Sequence, residues 1–222
     1  MQVAVLIPVL NEEAALPRVL EELPSAFRVI VCDNGSTDRS AALAKAAGVE
    51  VVSTARGYGN AILGGLAHLR PLPPEVVVVC DGDHSVDPDD FAALLAPLER
   101  NEADFVLGDR TRLAAPGSMP PQQVYGNILA TKLIHLQSGF RFRDMGPFRA
   151  IRWAAIEALR MKDPNYGWNV EMQLKAVRAG LRIVEVPVHN RERIGRSKVS
   201  GSFRGATRAG AKILWSCWRY RR

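Results

Sequence analysis

The sequence predicts an α/β fold built on a mostly parallel sheet with covering helices, and three observations carry that prediction. Strand and helix patterns alternate through the first half of the chain. The run VVVVC at 76–80 is apolar and β-branched without a polar interruption, as a strand covered on both faces requires. Acids recur where three of the strands leave the core, at Glu12, Asp33 and Asp81, and open α/β sheets take ligands at that edge.

The elements follow in order. VAVLIPV at 3–9 predicts a first strand, with a helical pattern from about 12 to 23 behind it. VIVCDN at 29–34 predicts the second strand, after which Ser36, Thr37 and Asp38 can cap a helix from about 37 to 47. Asn34-Gly35 reads as a strand-to-helix turn, because a helical pattern and not a hairpin partner follows it. VEVVST at 49–54 gives a third strand, a glycine-punctuated helix runs from about 58 to 69, and VVVVCDGD makes the fourth strand. A helix from about 88 to 100 and the strand DFVLGD at 104–109 complete the alternation. Residues 112–123, rich in Pro and Gly, predict a mobile loop before a helix from about 122 to 138. FRFRDMGPFRAIR reads as a turn, followed by helices at about 152–160 and 168–179, the strand RIVEVPV and a C-terminal helix from about 203.

At 222 residues, 47% apolar and 23% charged, the chain has the composition of a globular protein with a substantial core. It shows neither the pattern of an export signal nor about eighteen uninterrupted apolar residues, so no leader or spanning helix is expected. Cys32, Cys80 and Cys217 lack metal-type spacing, and a reducing cytoplasm is the simpler reading. Charge is divided unevenly. Residues 191–222 hold ten Lys or Arg against the single acid Glu192, whereas residues 1–190 hold nineteen against twenty-two. A basic tail on an acidic body suits an anionic membrane face or a phosphorylated substrate. Nucleic acid is not an expected partner, since none of the usual recognition motifs is present.

Asp81 and Asp83, one residue apart and past a strand end, can both turn toward a hard cation, because Gly82 puts no side chain between them. The same pair can instead simply solvate a turn. Asp33 is placed either to accept hydrogen bonds from a nucleobase or ribose, or to cap the following helix. The Gly57, Tyr58, Gly59 loop lacks both the Lys-Ser/Thr ending of a P-loop and the third glycine of a dinucleotide fingerprint, yet lets backbone approach a ligand closely. Trp168 can stack on a sugar face or fill the core.

Nine segments in order, IPVLNEE, CDNGSTD, GYGNAILGG, VVVVCDGDHSVDP, GDRTR, RDMGPFRAIR, YGWNVEMQLKAVRAG, VPV and RIGRSK, resemble the family 2 glycosyltransferases of GT-A fold. Within that family the chain is similar to dolichol-phosphate mannose synthase and other polyprenyl-phosphate sugar transferases. The resemblance implies a GT-A catalytic domain over residues 1–202, with a basic amphipathic helix over 203–222. It implies that Pro8, Asn11, Glu12 and Asp33 shape a nucleotide pocket lined by Gly57 and Gly59, and that Asp81 and Asp83 hold Mg²⁺ or Mn²⁺ on the diphosphate of a sugar nucleotide. Arg110 would face donor or acceptor phosphates. Asp144 stands where the family has an acid, Glu171 falls in a helix that carries an acid near the sugar, and Arg193, Ser197 and Lys198 belong to a loop that closes over the phosphates. Two positions depart from the pattern: Ser85 stands where similar synthases often place a Gln as a further metal ligand, and Glu192 stands where an Arg is usual, with Arg191 and Arg193 beside it.

The implied reaction is the inverting transfer of a sugar from a UDP- or GDP-linked donor, with metal and cationic side chains stabilising the charge on the leaving diphosphate. A polyprenyl phosphate acceptor is already ionised at pH 7 and needs no strong base. A hydroxyl acceptor would need one, with Asp144 or Glu171 as candidates. Both acids also have structural alternatives, Glu171 in an i,i+4 pair with Lys175, and Asp144 in a pair with Arg143 or Arg149. The C-terminal segment SFRGATRAGAKILWSCWRYRR has no acid and suits a helix lying in a membrane interface, or a capping helix with a basic outer face. A non-catalytic sugar-nucleotide-binding protein is the alternative of another class.

Overall fold

The computed structural model describes residues 1–195 together with Trp215 and Arg219. Ser197, Lys198, Cys217 and the remainder of the C-terminal helix expected over 203–222 lie outside the described residues. The chain begins with β1 (Val3–Val9), α1 (Leu16–Glu22), β2 (Arg28–Asp33), α2 (Ser40–Ala46) and β3 (Glu50–Ser53). It continues through α3 (Tyr58–Leu69), β4 (Val76–Val79), α4 (Asp90–Glu99), β5 (Phe105–Ala114) and α5 (Pro121–Ser138). β6 (Arg149–Arg152), α6 (Trp153–Leu159), α7 (Trp168–Arg178) and β7 (Ile183–Asn190) complete it. The strands form one sheet in the order β3-β2-β1-β4-β6-β5-β7, in which β6 is antiparallel to both neighbours and every other pairing is parallel.

Side-chain alternation divides the strands between two cores. Ala4, Leu6, Val77 and Val79 pack with α3, α5, α6 and α7, while Val3, Val5, Ile7, Val76 and Val78 pack with α1, α2 and α4. Because helices cover both faces, all four valines of β4 are buried. Among the described residues, no helix is long and apolar enough to cross a membrane.

β6 corrects the sequence expectation of a plain turn at FRFRDMGPFRAIR. Residues 149–152 insert between β4 and β5 as an antiparallel strand. Four residues with arginine at each end give no apolar run to detect. Arg149 is nonetheless fully buried: its guanidinium donates to the carbonyl oxygens of Gly146 and Met145 and lies 5.9 Å from the centre of the Phe105 ring. Burial pushes its pKa down to about 10.

The loop expected from 112 is shorter than the sequence suggests. β5 runs on to Ala114, pairing Leu113 and Ala114 with His189 and Asn190, and Pro121 opens α5. The register of β5 against β7 slips between Asp109 and Leu113, and the buried Arg110 lies in that irregular stretch. α1 starts at Leu16 and not near residue 12, since Asn11 takes a φ of 53° and Pro17 occupies the first turn.

Candidate active site

β1, β2 and β4 run parallel and end at one sheet edge, where a cavity of about 1030 Å³ opens. Asp81, Gly82 and Asp83 line it just past β4, beside Pro8 and Glu12 from the end of β1. Arg110 and Arg193 reach the same cavity, from β5 and from the segment after β7. On a further wall stand Gln122, Gln123 and Asn127 of α5.

The two acids after β4 are held differently. One oxygen of Asp83 accepts hydrogen bonds from the backbone N–H and hydroxyl of Ser85 at 3.1 and 2.6 Å, and the other meets Arg193 Nη1 at 3.2 Å. The second terminal nitrogen of Arg193, Nη2, lies 3.3 Å from Glu12 Oε1. Asp81 has no hydrogen-bond or ion-pair partner for its carboxylate among the described residues. Burial and the neighbouring Asp83 charge push its pKa up to about 7. Ser85, at the place where a stronger metal ligand was expected, serves Asp83 and lines the cavity.

The segment carrying Arg193 is laced across the acidic loop. Ile194 N–H donates to the Asp83 carbonyl at 2.9 Å and Arg191 N–H to the Ser85 carbonyl at 2.8 Å. Of the two arginines flanking Glu192, Arg193 faces the acids, whereas Arg191 is pinned to Glu22 at 2.8 Å and to the Val86 carbonyl at 2.6 Å. His84 shares Glu22, at 2.9 Å.

Asp144 and Glu171, the acids considered as bases, do not line the cavity. Asp144 is wholly buried and accepts three hydrogen bonds from Arg110: from the backbone N–H at 3.0 Å, Nε at 2.7 Å and Nη2 at 2.9 Å. Burial opposes its charge, but the Arg110 guanidinium outweighs that and holds its carboxyl below the usual range. Its partner is therefore Arg110, 34 residues away, and not Arg143 or Arg149. Glu171 is also wholly buried, accepting from the backbone N–H groups of Lys162 and Asp163 at 3.0 and 2.6 Å and from Lys175 Nζ at 2.7 Å. The i,i+4 pair with Lys175 is thus present.

Glu171 reaches the cavity only through the backbone it holds. The 163–165 segment packs on the start of α3, where Asn60 N–H donates to the Pro164 carbonyl at 3.0 Å. A Cβ on Gly57 would overlap the Pro164 oxygen, and one on Gly59 the Asp163 oxygen. Gly57, with a φ of 137°, lines the cavity; Gly59 is buried against protein, so its missing side chain makes room for a loop. Trp168, offered as a sugar platform, is fully buried in the core.

Pro8 and Glu12 line the cavity, but Asn11 and Asp33 do not. Asn11 Oδ1 accepts from Thr37 N–H at 2.7 Å, and Asp33 accepts from Ser36 N–H at 3.1 Å, which closes the turn after β2 but does not cap α2, whose first residue is Ser40. Asn34, absent from the sequence-derived set, lines the cavity and accepts from Gly57 N–H at 2.6 Å. Strand alternation offers the signal: Asn34 shares a face with Cys32, which packs against α3, and Gly57 is the N-cap of α3.

The chemistry of this donor set suits a metal bound jointly with a ligand. Among the described residues no group of three His, Cys, Asp or Glu side chains forms a metal cage. One or two carboxylates completed by phosphate oxygens and water are the usual holding for Mg²⁺. Asp81, unpartnered and resisting its own charge, is the kind of ligand a divalent cation relieves.

A Rossmann-like sheet with an acid pair past its central strand is the architecture of the GT-A fold. Glucosyl-3-phosphoglycerate synthase of Mycobacterium tuberculosis shares that fold, with a TM-score of 0.76 at 23% identity over 98% of this chain and 80% of that one. The chain belongs to glycosyl transferase family 2, whose profile matches residues 4–154, and it is a glycosyltransferase. An uncharacterised glycosyltransferase of M. tuberculosis is 38% identical over 207 residues, 92% of each chain. The undecaprenyl-phosphate mannosyltransferase of Micrococcus luteus is 30% identical over 100% of this chain and 99% of its own length. The dolichyl-phosphate hexose transferase of Haloferax volcanii is 31% identical over 96% and 93%.

Proposed function

We propose that this glycosyltransferase moves a sugar, with inversion, from a UDP- or GDP-linked donor to a polyprenyl phosphate at the cytoplasmic membrane face. Mg²⁺ or Mn²⁺ would be held by Asp81 and Asp83 together with the donor diphosphate. The observation that carries the donor half is the unpartnered Asp81 carboxylate beside Asp83, with Arg110 and Arg193 in the same cavity. When bound, the metal supplies Lewis-acid stabilisation of the diphosphate as it leaves. Glucosyl-3-phosphoglycerate synthase, of like fold, has been crystallised with Mn²⁺ and UDP.

Each of the chain's own residues then has a part. Arg193 and Arg110 supply positive charge where the leaving group gains negative charge. Pro8, Glu12, Asn34 and Gly57 shape the nucleotide side of the cavity. Asn11 and Asp33 fix the turn after β2, Asp144 aims Arg110, and Glu171 holds the 162–165 backbone against Gly57.

Two observations support a lipid phosphate acceptor beyond the relatives' names. α5 turns Gln123, Asn127 and Ala130 into the cavity, while Tyr125 and Leu136 on the same helix are 73% and 81% exposed, with Val124, Ile128 and Leu129 also exposed. A polar wall inside and an apolar face outside suit an acceptor with a charged head and a lipid tail. In addition, Asp144 and Glu171 are saturated by hydrogen bonds and do not line the cavity, which favours an acceptor needing no strong base. The basic segment 203–222 would add a second membrane contact.

The assignment is tested by thermal shift with UDP- and GDP-sugars, with and without Mn²⁺, followed by transfer to a polyprenyl phosphate in detergent. A metal-dependent shift with one nucleotide class, and sugar transfer to the lipid, are expected. No shift with any sugar nucleotide removes the donor assignment. Transfer only to a soluble alcohol moves the acceptor to a hydroxyl, and binding without any transfer leaves a non-catalytic sugar-nucleotide-binding protein.

A further inference from the structure

Arg193 is the cation that the acids of the cavity already hold. Its Nη1 lies 3.2 Å from Asp83 and its Nη2 3.3 Å from Glu12, so it bridges the ends of β4 and β1. Its Nε is buried and has no partner among the described residues, leaving one donor unused. A divalent ion and this guanidinium want the same Asp83 oxygen, since the other oxygen is taken by Ser85. They cannot both sit close to it, because like charges repel and a carboxylate oxygen has few lone pairs.

We propose that Arg193 makes the site accept metal and diphosphate as one unit and discriminate against metal alone. The inference rests on the metal-dependent donor site proposed above. Free metal must displace Arg193 from Asp83 and strand a partly enclosed guanidinium beside a new positive ion. Metal arriving with a nucleoside diphosphate also brings phosphate oxygens, and Arg193 exchanges its carboxylate for them, using the free Nε as well. The gain is differential, since only the complex gives the displaced arginine a new partner. The exchange needs side-chain rotation alone, because the backbone at Arg191 and Ile194 stays tied to Ser85 and Asp83. Arg193 is in this sense a specificity-determining residue, and metal and diphosphate are thermodynamically coupled through it.

The two affinities should therefore move in opposite directions when the guanidinium is removed, a result that simple loss of structure does not produce. Mn²⁺ binding to the full-length protein is read from the loss of the free-ion electron paramagnetic resonance signal, with and without UDP. Arg193→Gln should bind free Mn²⁺ about 5-fold tighter or more than wild type and bind it in the presence of UDP several-fold more weakly, abolishing most of the coupling. Arg193→Lys, which keeps a cation, should retain weak binding of free Mn²⁺. Free Mn²⁺ affinity that is unchanged or reduced in Arg193→Gln overturns the proposal, even if UDP-dependent binding falls. Wild-type protein that binds no Mn²⁺ with UDP overturns the metal-dependent donor site itself, so the two failures are distinguishable.

Discussion

Asp81 and Asp144 both act electrostatically on Arg110, yet they are held in opposite ways. Asp144 accepts three hydrogen bonds from Arg110 and is kept ionised below the ordinary carboxylate range. The Asp81 carboxylate accepts none among the described residues and is pushed up to about 7 by burial and by Asp83. A saturated buried carboxylate is architecture, because nothing further can bind it without breaking what it already makes. An unpartnered carboxylate beside another acid is an unfinished site, of the kind that a divalent cation would complete. Acidity at a cavity is therefore a poor guide to role until the hydrogen bonds are counted.

Substitutions that exchange these states should separate stability from binding. The largest loss of stability is expected from Asp144→Ala, which leaves the buried Arg110 guanidinium without its counter-charge at a cost of about 3–5 kcal/mol. Chemical denaturation measures it, and a loss below about 1 kcal/mol would place the pair with ordinary surface ion pairs. Glu171→Gln removes the charge that Lys175 and two backbone N–H groups share, and should cost about 1–3 kcal/mol. A stability unchanged on denaturant titration would deny Glu171 its anchoring part.

Asp81→Asn should behave differently, keeping the fold while abolishing metal-dependent donor binding in calorimetry. Intact metal dependence in that variant would remove Asp81 from the site. A further effect is on pH dependence. The folded pKa of Asp81 lies above its ordinary value of 3.8, so its protonated form is favoured by folding. That contribution is present below about pH 4 and is lost as pH rises through about 7. Metal-free wild type should consequently lose stability relative to Asp81→Asn over that window, and parallel melting curves across it would contradict the raised pKa.

The strands that build the site were legible because each carries an unbroken apolar run, and the buried run of β4 ends just before Asp81. β6 was not, since its four residues are two arginines around Ala150 and Ile151, and only its insertion between β4 and β5 makes it a strand. The choice between Asp33 and Asn34 depends on one residue of strand phase, which composition does not resolve. Asp144 and Glu171 stood out as acids, but their saturation depends on Arg110 and on the backbone of 162–163, contacts that exist only after folding. Gly59 looked like a ligand-facing glycine and instead makes room for the loop that Glu171 anchors.

The proposed donor site stands or falls on Asp81 and Asp83 as the protein half of a metal–diphosphate centre. Anomalous diffraction from crystals grown with Mn²⁺ and UDP tests it most directly. A manganese peak bonded to both carboxylates and to diphosphate oxygens is expected, with Arg193 withdrawn from Asp83. A well-ordered diphosphate with no metal at these two acids, or with Arg193 still paired to Asp83, would contradict it.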